Sequence, residues 1–303
     1  MAGRIVLVHF LLVSLTWTLA EARDHKDNAA GHDSAKIAEL EKRGRNGDLK
    51  ALFELGKAYE NGNGVAQDYS RARDCYEKAA QLGLPEAQNN LGVLLANGVG
   101  GPKDEVGAVR WYLRAAISGQ AAAQNNLGYM YSTGTGTNVD LAEAARWYAK
   151  AAAQHFPEAE ANLASLYTRG RGVPKDEQQA AHWYHRAAMA GYLPAVECLA
   201  GMYAQGRGVA RDFAAAANWL RKAAERGSAT AQNNLGFAYE HGRGVPLDRA
   251  RALFWYRKAA DQGLPDAQKN VIVLQSEQKQ STGQVGLPAQ SSNSDTSNLG
   301  GHN

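Results

Sequence analysis

The chain has 303 residues, a net charge of +3 with acids and bases interspersed, and 32 glycines against 8 prolines. A chain of this length is either two domains or an extended array without one large core. Sparse β-branched residues beyond the N-terminal segment exclude a β-rich fold, and so weak a basic balance excludes the positive stripe of a nucleic-acid binder.

Arg4 opens a short positive region, Ile5 to Ala20 form an apolar run of 16 residues, and Ala20-Glu21-Ala22 supplies a small-x-small cleavage pattern. Residues 1–22 therefore read as a signal peptide, and the mature chain as exported, periplasmic or secreted. An uncleaved anchor is the other reading, and the run falls short of the roughly 20 residues a spanning helix needs. No cysteine follows for lipid attachment, and no second hydrophobic span appears downstream. Residues 23–34 read as a polar linker.

From residue 35 to residue 275 the chain repeats. Leu55, Leu91, Leu127, Leu163, Leu199 and Leu235 fall 36 residues apart, and Val271 takes the next place. Asp68, Asp104, Asp140, Asp176, Asp212 and Asp248 keep the same step, as do Ala72, Ala108, Ala144, Ala180, Ala216 and Ala252. Repeats are expected at 48–83, 84–119, 120–155, 156–191, 192–227 and 228–263.

Each unit reads as two helices. Ala87, Leu91 and Leu95 form one apolar stripe, closed by Gly98 and Gly100. This is helix A, and Pro85, Pro157 and Pro265 sit at first-turn positions where a missing N–H costs nothing. After a Gly-x-Gly turn the repeated aspartate caps helix B, whose stripe is Ala108, Trp111, Tyr112, Ala115 and Ala116, ending at Gly119. Trp147-Tyr148, Trp183-Tyr184 and Trp255-Tyr256 are equivalent pairs, while other copies carry Trp219-Leu220 and Cys75-Tyr76. Bulky residues against alanines let each unit bury its stripe only by stacking on its neighbours.

At the ends, Lys36 to Gly47 matches a degraded helix B with Leu40 in the tyrosine register, a polar N-terminal cap. Leu264 to Gln275 repeats helix A alone, and the Ser-, Gln-, Asn- and Gly-rich residues 276–303 read as a disordered tail. Cys75 and Cys198 lie several repeats apart, too far to pair, and read as small buried residues. The fold class is thus an all-α solenoid of six 36-residue helix-turn-helix repeats with capping helices.

Ala-Gln-Asn-Asn-Leu-Gly at 87–92, 123–128 and 231–236, Gly-x-Gly-Val turns at 62, 170, 206 and 242, and the Trp-Tyr-x-x-Ala-Ala segments resemble Sel1-like repeats, a subgroup of the tetratricopeptide-like superfamily. The resemblance covers residues 35–275. It implies a right-handed superhelix of antiparallel helix pairs whose A helices line a concave groove, and an adaptor or scaffold function. For an exported bacterial member it implies work in the cell envelope or host contact.

On that geometry the position before the leucine faces the groove. It reads Asn90, Asn126, Asn162, Cys198, Asn234 and Asn270, beginning with Glu54. An amide donates and accepts at once, so such a ladder suits the backbone of an extended peptide; equally, it suits bonds that fix repeat stacking. Two residues after the leucine come Lys57, Val93, Tyr129, Ser165, Gly201 and Phe237, where Tyr129 or Phe237 anchors a ligand or packs in the core. The candidate partner-binding residues are therefore Asn90, Asn126, Asn162, Asn234, Asn270, Tyr129 and Phe237.

His182 and His185 lie on an outward face, and two ligands without a third make a poor metal site. Gly-Arg-Gly at 170–172, 206–208 and 242–244 has neither the phosphate-loop pattern nor its preceding strand, and its arginines form a basic edge suited to an acidic partner. Some cysteine-rich relatives of the resembled family are β-lactamase-like, but this chain lacks their paired cysteines and any Ser-x-x-Lys or Lys-Thr-Gly element. No catalytic residue, metal or cofactor is assigned. The expected function is a non-enzymatic scaffold holding a protein or peptide segment, with a peptidoglycan- or carbohydrate-binding solenoid as the alternative and a β-lactamase-like hydrolase as a further one.

Overall fold

A computed structural model describes residues 26–283, with side chains for residues 35–278. The described residues form fourteen α-helices and no strand. The cleavage site and the last 20 residues lie outside them, and so does the signal-peptide reading. None of the described helices is long and apolar enough to cross a membrane.

Helix α1 (Lys26–Arg45) leads. The A helices are α2 (Leu49–Asn61), α4 (Pro85–Asn97), α6 (Ala121–Thr133), α8 (Pro157–Arg169), α10 (Leu193–Gln205), α12 (Ala229–His241) and α14 (Pro265–Gly283). The B helices are α3 (Tyr69–Gln81), α5 (Glu105–Ile117), α7 (Leu141–Ala153), α9 (Glu177–Met189), α11 (Phe213–Glu225) and α13 (Arg249–Asp261). The chain divides into two compact units, one ending at Ser118 and one beginning at Gly119.

Two boundaries differ from the sequence reading. Helix α1 begins inside the segment expected to be a polar linker, where Ala29, Ala30 and Ala35 favour helix and no proline stops it. Helix α14 runs past Gln275 to Gly283, the last described residue, because glutamine, glutamate and lysine follow.

Each repeat is held by the same local devices. The aspartate before every helix B caps it: Asp104 Oδ1 accepts from Gly107 N at 2.7 Å and Asp140 Oδ1 from Glu143 N at 2.9 Å. Such a cap is worth about 1 kcal/mol. The same aspartates donate their own N–H to a helix A carbonyl four residues past the repeat leucine, Asp104 to Leu95 and Asp248 to Tyr239, both at 2.9 Å. This bond fixes the A–B turn.

Within four of the six repeats a helix A glycine receives the helix B tyrosine; repeat four has Ala164 with Tyr184 and repeat five Ala200 with Leu220. A Cβ built on Gly92 would lie 2.6 Å from Tyr112 Cε1, one on Gly128 2.8 Å from Tyr148 Cδ1, and one on Gly236 2.7 Å from Tyr256 Cδ1. The glycine forms the hole and the ring the knob, so the two helices approach closely. Between repeats, the second turn glycine touches the first residue of the preceding helix B. A Cβ on Gly208, at φ +66°, would collide with the Glu177 carbonyl, and one on Gly244 with that of Phe213. These backbone contacts stack each turn on the one before it within the second unit.

The B helices carry a second repeated contact. Three residues after each tryptophan a cation lies over the indole: Arg114 on Trp111 at 4.5 Å, Lys150 on Trp147 at 3.9 Å, Arg186 on Trp183 at 4.8 Å and Lys222 on Trp219 at 4.3 Å. Each covers an indole face, for about 0.5–1 kcal/mol.

Candidate binding face on the A helices

The repeat leucines Leu91, Leu127, Leu199 and Leu235 are buried, so the positions beside them emerge on one face of the A helices. In each unit the face is a constant helical frame carrying different side chains.

The amide ladder divides into two kinds of member. Asn162 Nδ2 donates to Asn125 Oδ1 at 3.0 Å, and Asn270 Nδ2 to Asn233 Oδ1 at 2.9 Å, each joining one A helix to the preceding one. Asn125 is buried and would lose its partner without that donor. Asn90 accepts from Asn89 Nδ2 at 3.3 Å and also bonds the Tyr76 hydroxyl. Asn126 is likewise engaged. Asn234 is exposed and has no side-chain hydrogen bond among the described residues. These amides thus serve stacking at 162 and 270 and leave position 234 open.

Tyr129 is half-buried and already engaged. Phe237 is 38% exposed. Its ring lies 4.1 Å from that of His241, with the Arg243 guanidinium 5.0 Å away. The imidazole and the guanidinium lie against this ring and leave it partly exposed.

Cys75 is buried, and burial pushes its thiol up to about 11. Cys198 is exposed, contrary to the expectation of a small buried residue, because the position before the leucine faces outward. Its sulfur turns toward the Tyr184 hydroxyl, and burial there still raises the thiol. Ser165 and Thr168 lie near the same hydroxyl, which makes a polar cluster of α8, α9 and α10.

One ionic cluster was not foreseen. Glu160 is buried where Gln88, Gln124 and Gln232 stand in other repeats, and Arg186 NH2 reaches its Oε1 at 2.7 Å. Arg186 also lies 2.6 Å from His155 Nδ1 and donates to the Ala152 carbonyl at 3.2 Å. His155 has φ +60° where the other repeats place glycine, and among the described residues it is the one non-glycine at positive φ. Glutamate for glutamine and histidine for glycine were the visible signals.

The outward histidines sit against aromatics, His182 on Trp183 and His185 on Trp219. No three His, Cys, Asp or Glu side chains gather as a metal site among the described residues.

The Sel1 repeat pattern matches residues 49–84, 85–120, 121–156, 157–192, 199–228 and 229–264. The fifth match starts late, at the repeat where Cys198 replaces asparagine and no Gln-Asn pair precedes the leucine. No curated protein matches the chain. Among solved structures, a protective antigen of uropathogenic Escherichia coli displaying an SLR fold is 36% identical with a TM-score of 0.74, over 78% of this chain and 50% of that one. A Sel1 repeat protein from Oxalobacter formigenes is 35% identical with a TM-score of 0.69, over 75% of this chain and 65% of that one. The chain thus spans half to two thirds of the length of these relatives. With the repeat pattern matched through six copies and every described element helical, the chain is an all-α repeat solenoid and belongs to the Sel1 repeat family.

Proposed function

We propose that the chain is an exported, non-enzymatic scaffold that holds a segment of a partner protein on its A-helix face. Sel1 repeats commonly serve protein interaction, which is the coarse reading the fold supports. The observation that carries the finer one is the contrast on that face between an invariant frame and a side chain that changes at every copy: Lys57, Val93, Tyr129, Ser165, Gly201 and Phe237. Stacking explains the frame but not the variation, and variation on a rigid frame is how a repeat array specifies a partner. Export rests on the apolar run before Ala20-Glu21-Ala22, and the protective antigen among the similar structures is in keeping with an exposed role.

Photo-crosslinking from position 237 on the A face and position 221 on helix B tests this reading in envelope extracts. Protein adducts from 237 and none from 221 are expected. Equal capture from both positions, or retention by purified cell-wall sacculi with no protein adduct, would overturn it, the latter in favour of glycan binding. Recovery of the chain in the cytoplasmic fraction, uncleaved, would overturn the export.

A further inference from the structure

The A face of repeats five and six has a feature that packing does not explain. Glycine inside a helix costs about 1 kcal/mol relative to alanine. At Gly56, Gly92, Gly128 and Gly236 that cost has a reason, since a tyrosine ring occupies the space of a Cβ. At Gly201, in the middle of α10, a Cβ would meet nothing within 4 Å. Nothing in the fold requires a glycine there. Its effect is to lower the A face at one point and bare the backbone, which is what a closely approaching ligand chain needs.

The surroundings of this recess are cationic and unsatisfied. Arg207 follows α10, its guanidinium Nε is buried, and that atom has no hydrogen-bond partner among the described residues. Arg207 and Arg169 both lie near enough to Cys198, one turn before Gly201, to act on its thiol electrostatically. Among the described residues, the Arg243 guanidinium lies over the faces of Phe237 and Phe213 and meets no carboxylate. The neighbouring carboxylates are already taken: Glu240 Oε2 accepts from the Tyr256 hydroxyl at 2.6 Å, and Glu197 accepts from Ser228. One repeat on, at the places equivalent to Cys198 and Gly201, stand the open amide of Asn234 and the exposed ring of Phe237.

We propose that the A face at Gly201 is a docking site for an extended acidic peptide segment, with an Asp or Glu side chain on Arg207, the main chain over Gly201 and along Asn234, and an apolar side chain on Phe237. Charge complementarity selects the occupant: Arg207, on the turn after α10, and Arg243, its equivalent one repeat on, have no carboxylate partner among the described residues, and a bidentate carboxylate is the group an arginine fork fits best. The amide supplies main-chain bonds, and the ring supplies the apolar anchor. This deepens the scaffold reading and rests on the A face being the contact surface.

The test uses the full chain and a fluorescein-labelled hexapeptide, Asp-Glu-Asp-Leu-Glu-Asp, with its Asn/Gln counterpart as the neutral probe, followed by anisotropy. Saturable binding of the acidic peptide is expected, with Arg207→Gln weakening it about ten-fold or more by loss of a charge-assisted hydrogen bond, and Gly201→Leu weakening it about ten-fold or more by filling the recess. Arg221→Gln, on exposed helix B, should leave it unchanged, and circular dichroism should show all three variants folded. Should Gly201→Leu fail to fold, Gly201→Ala takes its place. Equal binding of the neutral probe, affinities within two-fold across the variants, or displacement by inorganic polyphosphate with equal loss in Arg221→Gln would each overturn the proposal and leave only a basic surface. Absence of acidic-peptide binding alongside crosslinking from position 237 would overturn this site and spare the scaffold; absence of both would remove the scaffold too.

Discussion

Alanine at Gly92 and alanine at Gly201 are the same chemical change in the middle of an A helix, and the structure predicts opposite signs. Either substitution recovers the helix propensity of alanine, about 1 kcal/mol. At Gly201 nothing opposes the gain, because the new methyl meets no atom within 4 Å. At Gly92 the new Cβ would lie 2.6 Å from Tyr112 Cε1, 2.8 Å from Cδ1 and 3.1 Å from Cζ, where carbon contacts belong at about 3.5–4.0 Å. The Tyr112 ring is buried and rigid, so it must retreat by about 1 Å into a packed core, at a cost of about 1–3 kcal/mol. Gly92→Ala should therefore lose about 1 kcal/mol net while Gly201→Ala gains about 0.5–1 kcal/mol. Urea denaturation followed by circular dichroism at 222 nm measures both. In repeat five alanine stands with leucine (Ala200, Leu220) and in repeat four with tyrosine (Ala164, Tyr184), so the cost at Gly92 is that of moving a ring already seated on glycine; Gly92→Ala should cost less in a Tyr112→Leu background than alone, a coupling the double-mutant cycle reads directly. If Gly92→Ala raises the midpoint as Gly201→Ala does, the knob-and-hole account of the repeat is wrong.

Asn162→Ala should cost about 1–3 kcal/mol, because it strips the donor from the buried amide of Asn125, whereas Asn234→Ala should stay within about 0.5 kcal/mol; equal losses in urea melts would contradict the division of the ladder. Burial raises the Glu160 carboxyl above its ordinary value, against the pull of Arg186. The folded chain then binds that proton more tightly than the unfolded one, so this group's contribution is fullest at low pH and is lost as pH rises. Relative to Glu160→Gln, the wild type should lose stability as pH climbs above the ordinary glutamate value of about 4.3. A gain over that interval would mean that the Arg186 attraction outweighs desolvation.

The helix pairs were legible because their signals are local and repeated: the step of 36, the aspartate caps and the glycine turns all recur at fixed offsets. The lengths of α1 and α14 were less so, since polar composition there was read as disorder while the same residues favour helix. The stacking of Arg or Lys on tryptophan had a plain signal, a cation three residues after each indole, but exposed cations on a helix look like a solvated face until the ring beneath them is placed. Burial of Cys198 was expected from residue type alone, and the register of its helix overrode the preference.

The amide ladder shows why position in one repeat was not enough. The bonds at 162 and 270 run from the amide before the leucine to the asparagine two before the leucine in the preceding repeat. The stacking role of each amide is therefore set by its predecessor. In repeat four that predecessor site is Ala161, which cannot accept, and the next place in the ladder is Cys198. In repeat five it is Glu197, whose carboxylate is taken by Ser228, and the next amide, Asn234, is left open. Both breaks border Gly201. An amide that no longer holds the stack is under no structural demand, and a donor exposed there keeps its capacity for a partner's carbonyl. The proposed docking site in repeats five and six rests on this loss of demand at consecutive places, together with a helix glycine no packing requires and an arginine with a buried unmet donor.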